Sequence, residues 1–343
     1  MKNTEVRLTV AQRRRALGWT QSDLASMVGV SRQTLIAIEH GHTRIHLDLA
    51  IALADALQVP LDTLVGRPPH PQNWRWFNDV VPIGSLPVVW ATIADQVVVV
   101  PYYLTGDAGH IDAWWDAEAR QLMPTPGARH PSRVILIGGC DPYLSWLKSS
   151  FEHQHATHAI EIIPTSSTAA VDRLRRGFLH LAGSHWYNPA QKAYNVWDSD
   201  QGPPLARLGY LQWEEGIFWH PGQPEPKSWA VREVGSEARA VFERTKDALK
   251  YPILGPTFDR YQDLTRYVLT HEGIGGLGLG SLAVSLGLTF RALTEEPYEW
   301  VLHRDALTTD WLSLLLQTLE RSDLKTRLAR PPHQVPFHWG QID

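Results

Sequence analysis

The sequence predicts an all-α domain at residues 1–66 followed by a larger α/β domain, and three observations support this. Apolar residues recur at helical spacing in the first 66 positions of the 343-residue chain. From Arg133 onward, strand-like and helix-like segments alternate, which predicts a parallel sheet. Between the two regions, Arg67 to Gln72 reads Arg-Pro-Pro-His-Pro-Gln, which cannot continue a helix and predicts a linker.

Composition limits the class of protein. A chain of this length is enough for about two domains at roughly 150 residues each. It contains no run of about 18 uncharged apolar residues, so we expect no membrane span. The first ten residues lack the apolar core of a signal peptide, so we expect a cytoplasmic protein. Cys140 is the single cysteine, which excludes an internal disulfide and a thiolate zinc cluster.

Charge is unevenly distributed along the chain. The net charge of the whole chain is −4. Residues 1–70 hold eight basic and six acidic side chains, a net of +2, so the remainder carries a net of −6. A mildly basic head on an acidic body fits a protein that contacts phosphate with one end only.

The segment Thr20–Glu39 predicts two short helices joined by a turn. Gly29 supplies the left-handed turn position, and Ser31 caps the second helix. This arrangement is typical of the DNA-binding helix-turn-helix, in which side chains of the second helix reach base edges. Glutamine favours adenine there, and arginine favours guanine. The predicted DNA-binding residues are Gln21, Ser31, Arg32, Gln33, Thr34 and Arg44.

Four motifs extend this interpretation over residues 6–66. They are Thr-Gln-x-x-Leu-Ala from Thr20, Ser-Arg-Gln-Thr from Ser31, Ile-Glu-x-Gly from Ile38, and Leu-Ala-x-x-Leu from Leu53. Together they closely resemble the XRE/Cro/C1-type repressor family, which implies a transcription regulator. The alternative is a small helical bundle that only contacts other proteins.

The pattern of predicted loops, strands and helices divides the rest of the chain into three parts. Residues 67–85 are predicted as a linker, and residues 86–127 as a β-hairpin and connecting segment. Residues 128–343 are predicted as the α/β domain. Three of its loops follow strand ends and begin helices, at Gly138–Asp141, Thr165–Thr168 and Gly235–Ser236.

These loops predict a site for an anion or a small polar ligand. Helix N-termini present unpaired N–H groups and the positive ends of helix dipoles, and serine and threonine add hydroxyl donors. Ligands of open α/β sheets bind at the carboxyl ends of the strands. The alternative is that the serine and threonine side chains only cap helices.

Several stretches of the body carry a second resemblance. They include Ile-Gly-Gly-Cys-Asp-Pro from Ile137, Ala-Gly-Ser-His from Ala182 with Tyr194-Asn195 after it, Arg-Glu-x-Gly-Ser-x-x-Arg from Arg232, and the closing stretch Gly287–Tyr298. Residues 80–330 thereby resemble the periplasmic-binding-protein-like domain of molybdate-binding type. The resemblance implies a two-lobed type II fold that closes over an oxyanion such as molybdate or tungstate. The predicted ligand-binding residues are Cys140, Asp141, Ser166, Ser167, Thr168, Ser184, His185, Asn195, Arg232, Ser236 and Arg239.

The two arginines keep the ligand class open. A buried guanidinium binds a carboxylate or phosphate in fork geometry, so Arg232 and Arg239 admit an organic acid, a nucleotide or another stress metabolite. Arg239 can instead pair with Glu243 one turn further along the helix. Fifteen tryptophans, Trp186 and Trp197 among them, can stack a planar ligand or simply fill the core.

Three further patterns are interpreted as structural. The run His153-x-His155-x-x-His158 has no carboxylate or thiolate partner in the sequence, so we expect no metal there. Residues 273–278 match G-x-G-x-x-G but follow a helix, and we interpret them as a tight turn and a strand. No catalytic triad or acid/base pair of suitable spacing is evident around Cys140, so we expect neither an enzyme nor a cofactor.

The hypothesis from sequence is a homodimer that binds a palindromic DNA operator and responds to a small-molecule or oxyanion effector. Three rivals remain: a solute carrier of a transporter, an enzyme that uses the cleft, and a regulator whose body only dimerises.

Overall fold

The computed structural model describes residues 10–343 apart from 12, 16, 41–42, 44, 58–72, 107–108, 198–202 and 246–252. The chain forms two compact units. The first comprises residues 1–103, 108–135 and 152–159, and the second comprises residues 104–107, 136–151 and 160–343. Within the described ranges, no helix is both long enough and apolar enough to cross a bilayer.

The first unit begins with a helical head. Helices α1 (Gln21–Met27), α2 (Arg32–Glu39) and α3 (Leu47–Ala56) surround a core in which Leu24, Leu35 and Leu53 are fully buried. Helix α1 begins in a capping box, and Gly29 takes φ 70° in the turn that leads to α2. The helix-turn-helix predicted from Thr20–Glu39 is confirmed.

A buried ion pair ties the head together. The Nε atom of Arg14 lies 2.6 Å from Oε1 of Glu39 at the end of α2, and both side chains are buried. Arg14 also donates to the carbonyl of Trp19, 2.7 Å away. Removing one partner of a buried pair costs about 3–5 kcal/mol, so this contact fixes the position of α2.

The second part of this unit is a small antiparallel-rich sheet. Its strands are β1 (Trp74–Trp76), β2 (Leu86–Ile93), β3 (Gln96–Pro101), β4 (Ala113–Asp116) and β5 (Gln121–Pro124), in the order β1-β3-β2-β4-β5. The predicted hairpin of β2 and β3 is confirmed.

Two details of this sheet differ from the sequence prediction. Strand β1 lies inside the range 67–85 that the sequence predicts as a linker, and β4 and β5 extend the hairpin. These strands have only three or four residues each, too few for a periodic pattern. Trp74, Trp76 and Trp115 stabilise them through edge-to-face ring contacts 5.0–5.8 Å apart.

The second unit is built on one large mixed sheet. The strands are β6 (Val134–Gly139), β7 (Ala159–Pro164), β8 (Leu181–Ser184), β11 (Leu205–Trp219), β12 (Ser228–Arg232), β13 (Ile253–Phe258), β14 (Ile274–Leu279), β15 (Thr289–His303) and β16 (Gln334–Pro336). Their order is β13-β12-β14-β11-β15-β8-β6-β7, and β16 pairs with β11. The short strands β9 (Tyr187–Asn188) and β10 (Ala193–Tyr194) pair separately.

Two 15-residue strands connect the two halves of this sheet. Strands β11 and β15 pair antiparallel along their whole length. The parallel strands β6 and β8 join this pair through β15 at Glu299–Val301. The parallel strands β12, β13 and β14 join it through β11 at Glu215–Phe218. We call the β6–β7–β8 part lobe A and the β12–β13–β14 part lobe B.

The helices of this unit follow the alternation that the sequence predicts. They are α4 (Leu144–Gln154), α5 (Ser167–Arg175), α6 (Glu237–Thr245), α7 (Tyr261–Thr270), α8 (Gly280–Ser285), α9 (Asp310–Leu319) and α10 (Ser322–Leu328). Strands β6, β7 and β12 alternate with these helices, as the sequence predicts from Arg133 onward. The long strand β11 has no counterpart in the prediction.

The glycine-rich run is the predicted turn and strand. Gly273 takes φ 78° in the turn, and residues 274–279 form β14. A Cβ on Gly276 would collide with the ring of Phe218. Gly273 therefore serves the turn, and Gly276 serves close packing in lobe B.

A glycine in lobe A gives a test of this close packing. A Cβ on Gly183 would overlap the hydroxyl of buried Tyr298, so we expect Gly183→Ala to lower the free energy of unfolding by about 2 kcal/mol. Gly84→Ala is the control because nothing lies within 4 Å of that position. Urea unfolding of both variants measures the difference. Equal stabilities would contradict the packing described.

Candidate functional site

The first turn of α2 lies on the exposed surface of the head. Ser31 is the N-cap, and its Oγ accepts a hydrogen bond from the backbone N–H of Thr34, 3.0 Å away. The hydroxyls of Ser31 and Thr34 are also 2.8 Å apart. Arg32 and Gln33 are exposed beside them. Capping therefore occupies Ser31 and Thr34, whereas the side chains of Arg32 and Gln33 are exposed to solvent.

Gln21 and Arg44, the other two residues predicted to contact DNA, lie outside the first turn of α2. The side-chain amide of Gln21 donates to Oε2 of Glu39 over 2.9 Å, so the end of α1 is linked to the end of α2. Arg44 lies outside the described residues.

In the second unit, a cavity of about 270 Å³ lies at the carboxyl ends of β6 and β7. Lobe A contributes the loop Gly139–Pro142 and Thr165, and lobe B contributes Asp259, Arg260 and Gln262 at the start of α7. This is where ligands of parallel sheets bind. Arg260 and Gln262 were not predicted from the sequence, because only packing of the lobes brings them to the loop.

Two of the predicted ligand residues, Cys140 and Asp141, line this cavity. The carboxylate of Asp141 accepts a hydrogen bond from the N–H of Tyr143 at 2.9 Å. Burial raises the pKa of Asp141 to about 7, and the bond from Tyr143 only partly opposes this. A neutral carboxyl group at this position can donate a hydrogen bond to an anion.

The Ser-Ser-Thr loop at the start of α5 joins different parts of the body. The Oγ of Ser167 accepts a hydrogen bond from the backbone N–H of His185, 3.1 Å away. Thr168 donates to the carbonyl of Gly235 in lobe B at 3.1 Å. Ser166 is the N-cap of α5 but makes no side-chain capping bond. The loop therefore holds lobe A against lobe B in this conformation.

Four predicted ligand residues are occupied by structural contacts. Ser184 donates to Asn195 at 2.7 Å, and Asn195 donates to Glu299 at 2.9 Å. Ser236 donates to the carbonyl of Glu233 at 2.8 Å. Arg239 pairs with Glu243 at 2.8 Å, which is the pairing that the sequence left open.

Arg232 is buried at the end of β12, with 1% of its side chain exposed. It donates to both carboxylate oxygens of Glu233 and to the carbonyls of Phe258 and Asp259. Its guanidinium also lies 4.3 Å over the ring of Tyr261. Its Nη1 has no hydrogen-bond partner among the residues that the structure describes.

His185 belongs to a buried polar cluster on one face of the β11–β15 pair. Its Nδ1 lies 2.6 Å from Oε2 of Glu296, and its Nε2 lies 3.3 Å from Sγ of Cys140. Glu215 of β11 lies close by and accepts a hydrogen bond from Tyr261. Sequence reasoning missed both glutamates, although Glu296 stands in the closing stretch Gly287–Tyr298.

The acidity of this cluster is strongly perturbed. Burial, followed by the charge of Glu237, raises the pKa of Glu296 to about 8. Burial and the charge of Glu296 raise the pKa of Glu215 well above its ordinary value. Burial opposes protonation of His185, but Cys140, Glu215 and Glu237 outweigh it and raise the pKa of the imidazole. The glutamates therefore resist ionisation together.

A second cavity lies on the outer side of α5. Its volume is about 510 Å³, and its lining includes Arg175, Arg176 and the mutually stacked rings of Trp186 and Trp197, 4.5 Å apart. The two indoles thus contact each other in this structure.

Comparison with known proteins agrees with this geometry. A helix-turn-helix family model matches residues 10–64, and a model described as the PBP superfamily domain matches residues 148–320. An uncharacterized HTH-type transcriptional regulator of Methanothermobacter thermautotrophicus is 46% identical over 52 residues, which are 15% of this chain and 75% of that protein.

Solved structures similar to the body have low sequence identity. The effector-binding domain of BenM with benzoate is 14% identical, with a TM-score of 0.43, over 59% of this chain and 96% of that chain. A phosphate transport receptor from Vibrio cholerae is 14% identical, with a TM-score of 0.42, over 59% of this chain and 100% of that chain.

These matches define a transcription regulator with a DNA-binding helix-turn-helix head and a PBP superfamily body. The chain belongs to the PBP superfamily and carries an XRE-type helix-turn-helix domain at its N-terminus.

The buried carboxyl group of Asp141 predicts a pH-dependent stability. Its pKa is about 7 in the folded protein against 3.8 ordinarily, so the folded state binds the proton more tightly. The contribution of Asp141 to the free energy of unfolding therefore falls as pH rises from 3.8 to about 7 and is constant above that.

Asp141→Asn removes the titrating carboxyl group and keeps the side-chain oxygen that accepts a hydrogen bond from the N–H of Tyr143. We expect the variant to gain stability relative to the wild type through that pH range. Urea unfolding of both proteins as a function of pH measures the gain. Parallel curves would show that Asp141 titrates normally.

Proposed function

We propose that this protein is a cytoplasmic, homodimeric regulator that binds a palindromic operator and changes its DNA affinity when a small anionic effector occupies the body. The observation that carries the effector assignment is the cavity between the Gly139–Pro142 loop and the start of α7. The exposed first turn of α2 supports the DNA assignment.

On DNA, Arg32 and Gln33 are the side chains proposed to read bases. Both are exposed, and the N-cap bond of Ser31 to Thr34 holds the turn that carries them. An α-helix fits the major groove, where arginine and glutamine can each make two hydrogen bonds to a purine.

We expect Arg32→Ala and Gln33→Ala each to weaken specific DNA binding about 5- to 150-fold, because a base contact contributes about 1–3 kcal/mol. Fluorescence anisotropy with a duplex selected from random sequence by the wild-type protein measures the loss. Arg330→Ala and Gln191→Ala are matched controls on exposed surfaces of the second unit. Equal losses in the controls would contradict base reading by α2.

For the effector, the chemistry of the cavity supports an oxyanion or a small organic acid. Thr165 supplies a hydroxyl, Gln262 an amide and Arg260 a positive charge at the start of the ten-residue helix α7. Arg260 also pairs with Asp263 over 2.8 Å, so an anion would share the guanidinium with that carboxylate. Molybdate and tungstate are the first candidates. The volume of about 270 Å³ also accommodates a larger carboxylic acid.

The arrangement of the lobes supports a response to the effector. Strands β11 and β15 join the two lobes, and the cavity has walls from both, so a bound ligand favours the closed arrangement. Coupling of about 1–3 kcal/mol between effector and DNA would change DNA affinity 5- to 150-fold.

A thermal-shift screen of molybdate, tungstate and small carboxylic acids tests the effector site. A ligand at about 100 times its Kd should stabilise the protein by about 2.7 kcal/mol. We expect Arg260→Ala to abolish this stabilisation and Arg266→Ala, on the exposed side of the same helix, to retain it.

A screen without any hit would favour a body that only dimerises. A hit that survives Arg260→Ala unchanged would place the effector elsewhere. Anisotropy of the selected duplex with and without the ligand then measures the coupling.

A further inference from the structure

The buried cluster on the long strand pair holds three side chains of metal-ligand type. His185, Glu215 and Glu296 each place a donor atom within 4.8 Å of the others. All three side chains are almost completely buried. None of the three lines the effector cavity, although Cys140, which does, lies 3.3 Å from Nε2 of His185.

Among the residues that the structure describes, no arginine or lysine pairs with Glu215 or Glu296, and His185 is the basic group that contacts Glu296. Oε2 of Glu215 is buried and has no hydrogen-bond partner among the described residues. Arg232 is held by Glu233, and Arg244 by Glu237 over 2.6 Å. Two buried carboxylates can lie this close together only if a proton or a cation is bound between them.

The surroundings favour a cation over protons alone. Each of the three side chains contacts a second polar group: Cys140 at Nε2 of His185, Tyr261 at Glu215, and Tyr194 at Glu296 over 3.4 Å. Such outer partners fix the tautomer of a ligating histidine and the orientation of ligating carboxylates. When Nε2 carries the proton and donates it to Cys140, Nδ1 has a lone pair that can coordinate an ion in place of its contact with Glu296.

We propose that His185 Nδ1 and the carboxylates of Glu215 and Glu296 bind one divalent transition-metal ion. Two carboxylates and a neutral imidazole carry a charge of −2, which balances the ion. A mixed nitrogen and oxygen donor set suits Mn²⁺, Fe²⁺, Co²⁺, Ni²⁺ or Zn²⁺, whereas Mg²⁺ and Ca²⁺ prefer oxygen alone.

The placement of the ligands gives the ion a structural consequence. Glu215 lies where β11 meets lobe B, Glu296 lies on β15, and His185 follows β8 of lobe A. In the register of β11 and β15, Glu296 lies opposite Trp213, which is two residues before Glu215. Side chains two residues apart on a strand point to the same face, so Glu215 and Glu296 share one face of the sheet. The ion would therefore tie lobe A to the strands that connect the lobes.

The test uses the full-length protein after removal of metals with a chelator. Equilibrium dialysis against Co²⁺ or Zn²⁺, read by elemental analysis, should give one ion per chain. The absorption spectrum of the Co²⁺ form reports nitrogen and oxygen ligation directly. Neither readout needs the effector or DNA, so its result is independent of the proposed regulation.

Variants assign the ion to the cluster. We expect Glu296→Gln and Glu215→Gln to abolish stoichiometric binding, and Tyr261→Phe, which removes only an outer partner, to weaken it about 10- to 100-fold. Glu295→Gln, at an exposed neighbouring position on β15, and His153→Gln, in the exposed histidine run, should bind as the wild type does. Circular dichroism checks that each variant folds.

Three outcomes would overturn the proposal. The first is no bound ion at neutral or alkaline pH, which would leave protons alone between the carboxylates. The second is binding that Glu296→Gln and Tyr261→Phe leave unchanged. The third is a loss of binding in His153→Gln, which would assign the ion to the surface run.

Discussion

The antiparallel pairing of β11 with β15 is the constraint on which the rest of the body depends. Lobe A joins this pair at Glu299–Val301, and lobe B joins it at Glu215–Phe218. Each lobe has its own parallel strands. The sheet of one lobe is continuous with the sheet of the other only through β11 and β15. Bending of one strand pair is therefore enough to open or close the space between the lobes.

The same strand pair explains why charge is buried in the middle of the body. Glu215 at the lobe B attachment and Glu296 between the two attachments share a face and approach His185. Burying carboxyl groups costs free energy unless a proton, a cation or a partner compensates the charge. The raised pKa values of both glutamates are consequences of this burial and of the charges beside them.

The sequence predicted those site residues that stand in loops at strand ends. Cys140 and Asp141 were predicted because a glycine turn after an apolar strand is a local signal, and His185 was predicted from the resemblance that Ala-Gly-Ser-His carries. Arg260 and Glu215 were missed because they lie far from the loops in sequence, one before a helix and one inside a long strand. Ser184 and Asn195 were predicted to bind ligand but bond to each other, a contact that no local pattern reveals.

The sequence by itself determined the helical head and the alternation of strands and helices, since capping residues, turn glycines and apolar periodicity act within a few positions. Only the tertiary structure decided which side chains are occupied and which remain available. Arg239 pairs with its own helix, Arg232 is buried beside Glu233, and Glu296 meets His185 across 111 positions of the chain. Burial and charge at a site come from such distant contacts, and sequence patterns describe only near neighbours.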